Sequence, residues 1–170
     1  EEGYFFEENV GLAHKRLSII DLKTGRQPIF NEDKNLVLIC NGEIYNFIEL
    51  RDTLEKKGHI FKTKSDSEVI IHLYEDKKES CLNYLRGMFA FAIWDRKNKK
   101  LFLARDRIGK KPVVYSVVNK DFYFASELKG LLEIPEIEKE IDFQAICDFF
   151  TYQGIPSPKT IFKNIKKLPP

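Results

Sequence analysis

Arg16, Asn41, Gly42, Glu43 and Asp66 are of the types that would hold a free amino acid. A guanidinium forks onto an α-carboxylate, a carboxylate pairs with an α-ammonium, and an amide beside a glycine N–H can stabilise an amide oxygen as it turns negative under attack. These residues lie in three segments: Arg16-Leu17-Ser18-Ile19-Ile20-Asp21, Asn41-Gly42-Glu43-Ile44-Tyr45-Asn46 and Ser65-Asp66-Ser67-Glu68. Taken singly, each has a structural explanation. Arg16 fits a surface ion pair, Asn41-Gly42 a turn, and Asp66 a helix-capping sequence. Together they suggest a pocket, but spacing alone does not show that they converge. The histidines His14, His59 and His72 are isolated in sequence and read as surface or packing residues, so no metal site is expected. G-x-S-x-G, H-E-x-x-H, Walker and G-x-G-x-x-G signatures are all missing.

Periodicity that passes from strand to helix and back predicts the elements around these residues. Leu36-Val37-Leu38-Ile39-Cys40 reads as a buried strand ending in a tight turn at Asn41-Gly42, where glycine can take a positive φ. A helix is predicted from Phe47 to Lys57 with Gly58 as its stop. Ser65 and Glu68 stand at capping-box spacing ahead of a second helix. A short extended piece at 60–62 lies between the two. Four β segments follow, at 88–94, 101–104, 113–118 and 122–125, with connections short enough for antiparallel hairpins. Their dense apolar runs imply that both faces of a sheet are covered, hence sheet on sheet flanked by helices. Further helices are predicted at 127–132 and 143–150. The tail, with Pro156, Pro158, Pro169 and Pro170, reads as a linker.

Twenty-eight Lys and Arg against 26 Asp and Glu leave a formal charge of +2, which points away from nucleic acid and from an anionic membrane. Cys40, Cys81 and Cys147 are odd in number and widely spaced, arguing against a disulfide framework or zinc ribbon and for a reducing compartment. With no membrane-length apolar run and no signal-peptide pattern, a cytoplasmic location is expected. Arg105-Asp106-Arg107-Ile108-Gly109-Lys110-Lys111 reads as a turn held by Asp106 rather than a phosphate site.

At these residues the sequence resembles the glutaminase domain of glutamine-hydrolysing asparagine synthetases, class II glutamine amidotransferases of the N-terminal-nucleophile hydrolase group. The matching stretches run in order through the chain: Gly11 to Asp21, Gln27-Pro28, Asn41 to Asn46, Ser65 to Glu68, Leu85 to Ala92, Ala104 to Gly109, Lys111-Pro112 and Phe124 to Lys129. Thr160-Ile161-Phe162 and Lys167-Leu168-Pro169-Pro170 resemble the passage into an ATP-using synthetase domain. The resemblance implies an α+β fold, a four-layer α/β/β/α sandwich of antiparallel sheets, here lacking its N-terminal strands. By the same resemblance Arg16 binds the α-carboxylate of L-glutamine beside the Leu17–Ile20 backbone, Ser18 included. Glu43 and Asp66 hold the α-ammonium, and Asn41 and Gly42 form the oxyanion hole.

In that family an N-terminal cysteine thiolate attacks the carboxamide, a γ-glutamyl thioester forms, and ammonia leaves for a domain in which ATP and magnesium activate aspartate. Glu2-Gly3-Tyr4 looks like the sequence just after the family's Arg-Gly-Pro-Asp stretch. The expectation is therefore an N-terminally truncated amidotransferase domain at 1–155. Residues 156–170 would be a linker toward the absent synthetase domain, and the nucleophile would lie upstream. These 170 residues would then offer a glutamine subsite without hydrolysing glutamine. No cofactor is expected in this domain, and a homodimer is left open. Two other readings stand beside this one: an amidotransferase serving a different acceptor, and a non-catalytic amino-acid-binding module.

Overall fold

In the computed structural model, residues 2–15 and 25–170 are described, and they fall into two units, Glu1–Ala104 and Arg105–Pro170. The first unit opens with β1 (Glu2–Glu7) and β2 (Val10–Lys15), an antiparallel hairpin that the sequence reading missed. Its two-residue loop lacks the usual Asn-Gly signal, and Glu8 instead takes φ 41°. Next come β3 (Ile29–Phe30), β4 (Leu36–Ile44), α1 (Phe47–Lys56), α2 (Glu68–Lys77), a 3₁₀ turn over Lys78–Asn83, β5 (Gly87–Asp95) and β6 (Lys100–Arg105). The strand order β3-β4-β5-β6 makes one sheet, with β3–β4 and β4–β5 antiparallel.

Strand alternation sorts the side chains of this sheet into two layers. Leu36, Leu38, Cys40 and Ile44 of β4, with Phe89, Phe91 and Ile93 of β5, pack on Leu54 of α1 and on Val69, Ile70, Ile71, Leu73 and Tyr74 of α2. Fully burying each large apolar side chain contributes about 1.5–3 kcal/mol, so this layer is the main source of stability in the unit. The alternate residues Val37, Ile39, Ala90, Ala92 and Trp94 are buried on the opposite face. There Phe5 of β1 meets Phe30 edge-on at 6.0 Å, and Glu7 accepts a 2.9 Å bond from Trp94 Nε1. Helices, sheet and hairpin thus follow one another as layers of an α+β sandwich of antiparallel sheets, as the two-sided apolar strands implied.

Three local expectations change. Asn41-Gly42 is not a turn: β4 runs straight through it to Ile44, in register with β5 down to Ile44–Gly87. Gly42 is needed there because its φ is +154° and an added Cβ would fall 2.1 Å from the Met88 carbonyl oxygen. The Ser65/Glu68 capping box does not form. Glu68 instead accepts from the Lys62 and Thr63 backbone N–H groups, each at 2.8 Å. Those bonds hold the 60–62 segment as a strap that pairs with no strand.

The second unit contains β7 (Val114–Val118), β8 (Asp121–Ala125), α3 (Leu128–Leu132), α4 (Phe143–Tyr152) and β9 (Lys166–Lys167). Its sheet has the order β8-β7-β9, antiparallel throughout. Asp142 caps α4 by accepting from the Gln144 and Ala145 N–H groups. Residues 156–170, whose proline content suggested a linker, pack into this unit. Ile165 joins Val114, Leu131 and Ile137 in the core, and Thr160 Oγ1 donates to the Ile165 carbonyl at 2.7 Å. A two-residue strand needs little periodicity, so composition hid it. Asp106 does hold a turn, accepting from the Ile108, Lys110 and Lys111 backbone N–H groups.

Candidate active site

The far end of β4 gathers most of the predicted polar groups that fall within the described residues. Alternation places Asn41 and Glu43 on the hairpin side of the sheet, opposite the Cys40 and Ile44 side chains that enter the helix-side core. Their positions are fixed by β5, with Asn41 opposite Ala90 and Glu43 opposite Met88.

The backbone is sorted just as strictly. Tyr45 donates to the Arg86 carbonyl at 2.7 Å, so the odd-numbered residues of β4 direct their N–H groups toward β5 and the even-numbered ones toward the β3 side. The even-numbered donors are met largely by side chains. Leu36 N–H donates to Asn31 Oδ1 at 3.0 Å, Cys40 N–H to Gln27 Oε1 at 2.6 Å, and Ile44 N–H to Asp66 Oδ2 at 2.7 Å. Gly42 N–H points the same way, between the Gln27 amide and the Asp66 carboxylate, and among the described residues it meets no acceptor there. A donor held by a sheet and left unused is what an oxyanion site requires.

Asp66 is buried, and burial pushes its carboxyl above the ordinary range, with the charge of nearby Glu43 adding to the rise. Two carboxylates therefore crowd one another with no cation bonded to either among the described residues. Arg16, Leu17, Ser18, Ile19 and Ile20 lie outside the described residues. The structure thus brings Asn41, Gly42, Glu43 and Asp66 to one strand end.

The cysteines are poor candidates for the attacking group. Cys40 and Cys81 are buried in the helix-side core, and desolvation pushes the Cys81 thiol up to about 12. Cys147 is exposed on α4 of the second unit. The sequence reading missed Gln27 and Asn31, which complete the edge of β4. Both fall outside strand periodicity, and no local pattern marks a side chain that takes a strand's place.

At one strand end of an antiparallel α+β sandwich stand an amide, an N–H that meets no acceptor among the described residues, and two neighbouring acids. The chain's solved relatives include the glutamine phosphoribosylpyrophosphate amidotransferase of Bacillus subtilis, which matches 84% of this chain and 31% of its own with a TM-score of 0.53 and 25% identity. Residues 1–170 match the glutamine amidotransferase domain family, and the chain belongs to it. It is 46% identical over 169 residues to asparagine synthetase [glutamine-hydrolyzing] 1 of Bacillus subtilis, covering 99% of this chain and 27% of that one. It is also 46% identical over 125 residues to asparagine synthetase [glutamine-hydrolyzing] 3 of Arabidopsis thaliana, covering 73% of this chain and 21% of that protein. The chain thus spans about a quarter of the length of these curated relatives. No helix among the described residues is long and apolar enough to cross a membrane.

Proposed function

We propose that this domain binds L-glutamine and releases its amide nitrogen as ammonia for an ATP-dependent synthetase domain of the same polypeptide that amidates aspartate. The observation that carries the reading is the end of β4, where a Gly42 N–H without an acceptor among the described residues stands beside Asn41 and next to Glu43 and Asp66, which have no cation bonded to them among those residues. The acids fit an α-ammonium, which would relieve the repulsion between them. Arg16 takes the α-carboxylate, beside the 17–20 backbone.

A cysteine thiolate attacks the side-chain carbonyl carbon, and the new oxyanion receives hydrogen bonds from Gly42 N–H and the Asn41 amide. Collapse, with a proton delivered to the departing nitrogen through the cysteine's own α-amino group, expels ammonia and leaves a thioester that water opens to glutamate. By the resemblance to its family the nucleophile is an N-terminal cysteine of the whole protein; Cys40 and Cys81 are held in the core and Cys147 lies in the second unit. ATP and magnesium act only in the synthetase domain.

Calorimetry with L-glutamine on the full-length protein tests the pocket. Binding should be lost in Arg16→Ala and sharply weakened in Asp66→Asn, and unchanged binding in both would refute it. Formation of asparagine from aspartate, glutamine and ATP tests the acceptor, and glutamate release without asparagine would point to a different one.

A further inference from the structure

We infer that the first unit contains a structural binding site for a tetrahedral divalent transition metal, zinc by preference, built from Glu32, His59, His72 and Glu75. Glu32 lies between β3 and β4, His59 follows α1, and His72 and Glu75 stand one turn apart on α2. One ligand atom from each residue fits within a sphere of mutual distances no greater than 4.8 Å.

The polar atoms that face one another in this cluster lack hydrogen bonds. His72 is completely buried, with Nε2 facing the Glu68 carboxylate at 3.8 Å, and its Nδ1, Glu32 Oε2 and Glu75 Oε2 make no hydrogen bond among the described residues. Leaving such groups unsatisfied in a core is costly, and native folds rarely do it. Their outward atoms, by contrast, are fixed. Glu32 Oε1 accepts from Ile60 N–H at 2.9 Å, and Glu75 Oε1 from Asn31 Nδ2 at 3.2 Å. His59 Nε2 lies 3.1 Å from Asp76 Oδ1, leaving Nδ1 to face the cluster. Carboxylate-oriented imidazoles of this kind are the usual outer support of a metal ligand.

The spacing separates a metal site from a set of ion pairs. Among the cluster-facing atoms, His72 Nδ1 is 3.5 Å from Glu32 Oε2 and His59 Nδ1 is 3.8 Å from Glu75 Oε2. These distances are long for hydrogen bonds. They lie a few tenths of an ångström above the edge of a tetrahedron with metal bonds of 2.0–2.1 Å, about 3.4 Å, so a bound ion would draw the four ligand atoms slightly inward. Two imidazoles and two carboxylates suit zinc, whereas calcium and magnesium prefer all-oxygen shells. Four protein ligands close the site, so its role is structural. It would tie the β3–β4 loop and the segment after α1 to α2, whose leading end carries Asp66.

The test uses the full-length protein, stripped with a chelator and then titrated with Zn²⁺ or Co²⁺. The expected result is one metal per chain, visible absorption bands of tetrahedral Co²⁺, and a Tm rise on the order of 5–10 °C at zinc about 100-fold above its Kd. His72→Gln and, separately, the milder Glu75→Gln should lose both the bands and the Tm rise, while Cys147→Ser should keep them. Failure of stripped wild type to take up either metal would overturn the inference. So would unchanged bands in Glu75→Gln, which would place the metal elsewhere. The wild-type cobalt spectrum decides the matter even if His72→Gln does not fold.

Discussion

Two pairs of carboxylates flank α2, and they differ in what surrounds them. Asp66, ahead of the helix, accepts from the Ile44 N–H and the Ser65 hydroxyl, and it is held above its usual pKa by burial and by nearby Glu43. Glu32 and Glu75, farther along, face two imidazoles across 3.5–3.8 Å. The acid type is the same, but the neighbours set the ligand class. A pair with no cation beside it among the described residues suits an ammonium, whereas a pair facing imidazole nitrogens suits a metal.

If the first pair serves an amide-hydrolysing site, the largest effect belongs to the oxyanion donor beside it. Asn41→Ala should lower kcat for glutamine hydrolysis by the full-length protein by roughly 10²- to 10³-fold, with a smaller change in KM, as read by glutamate release. Next, Gly42→Ala should destabilise the fold by on the order of 3 kcal/mol in denaturant titration, because its Cβ cannot fit 2.1 Å from the Met88 oxygen.

Asp66→Asn separates the two pairs directly. Glutamine affinity should fall at least tenfold, by about 1.5–3 kcal/mol, while the zinc response stays as in wild type. The raised carboxyl of Asp66 also sets a pH signature. Its favourable contribution is complete below about pH 4, the ordinary carboxylate range, and is lost as pH rises through the higher folded value. Asp66→Asn should therefore be more stable than wild type at pH 7, with the gap closing toward pH 4 in paired unfolding curves.

The smallest effect concerns a carboxylate with a permanent cation. Glu7 is held down at about 2 by Arg96, then by Trp94. Its contribution is full above about pH 4.5 and fades as pH falls toward 2, so Glu7→Gln should flatten the acid limb of the stability curve slightly.

The first pair was legible in the sequence and the second was not, for a physical reason. Asn41, Gly42 and Glu43 are consecutive on one strand, and Asp66 belongs to a recognisable Ser-Asp-Ser-Glu segment, so short-range order carried the information. Glu32, His59 and His72 are 27 and 13 residues apart and meet only because α1 and α2 stack on one face of the sheet. Apolar periodicity likewise gave β4 to β8 and all four helices to within a few residues. It failed at the β1–β2 hairpin, whose exposed Tyr4 and Phe6 blur the alternation, and at β9, which is two residues long. The supposed turn at Asn41-Gly42 shows the limit of residue preference. The same glycine that permits a turn also permits two strands to approach too closely for a Cβ.

Gln27 gives the β4 edge a colloidal meaning. An exposed strand edge invites another chain to add itself, ladder bond by ladder bond, and so seeds aggregation. Here Gln27 grips Cys40 through both its N–H and its carbonyl, and Asp66 occupies Ile44 N–H. Among the described residues, an incoming strand would find a single donor at Gly42, flanked by occupied positions, and could not zip further. The side chains that satisfy this edge thereby deny it to a polypeptide.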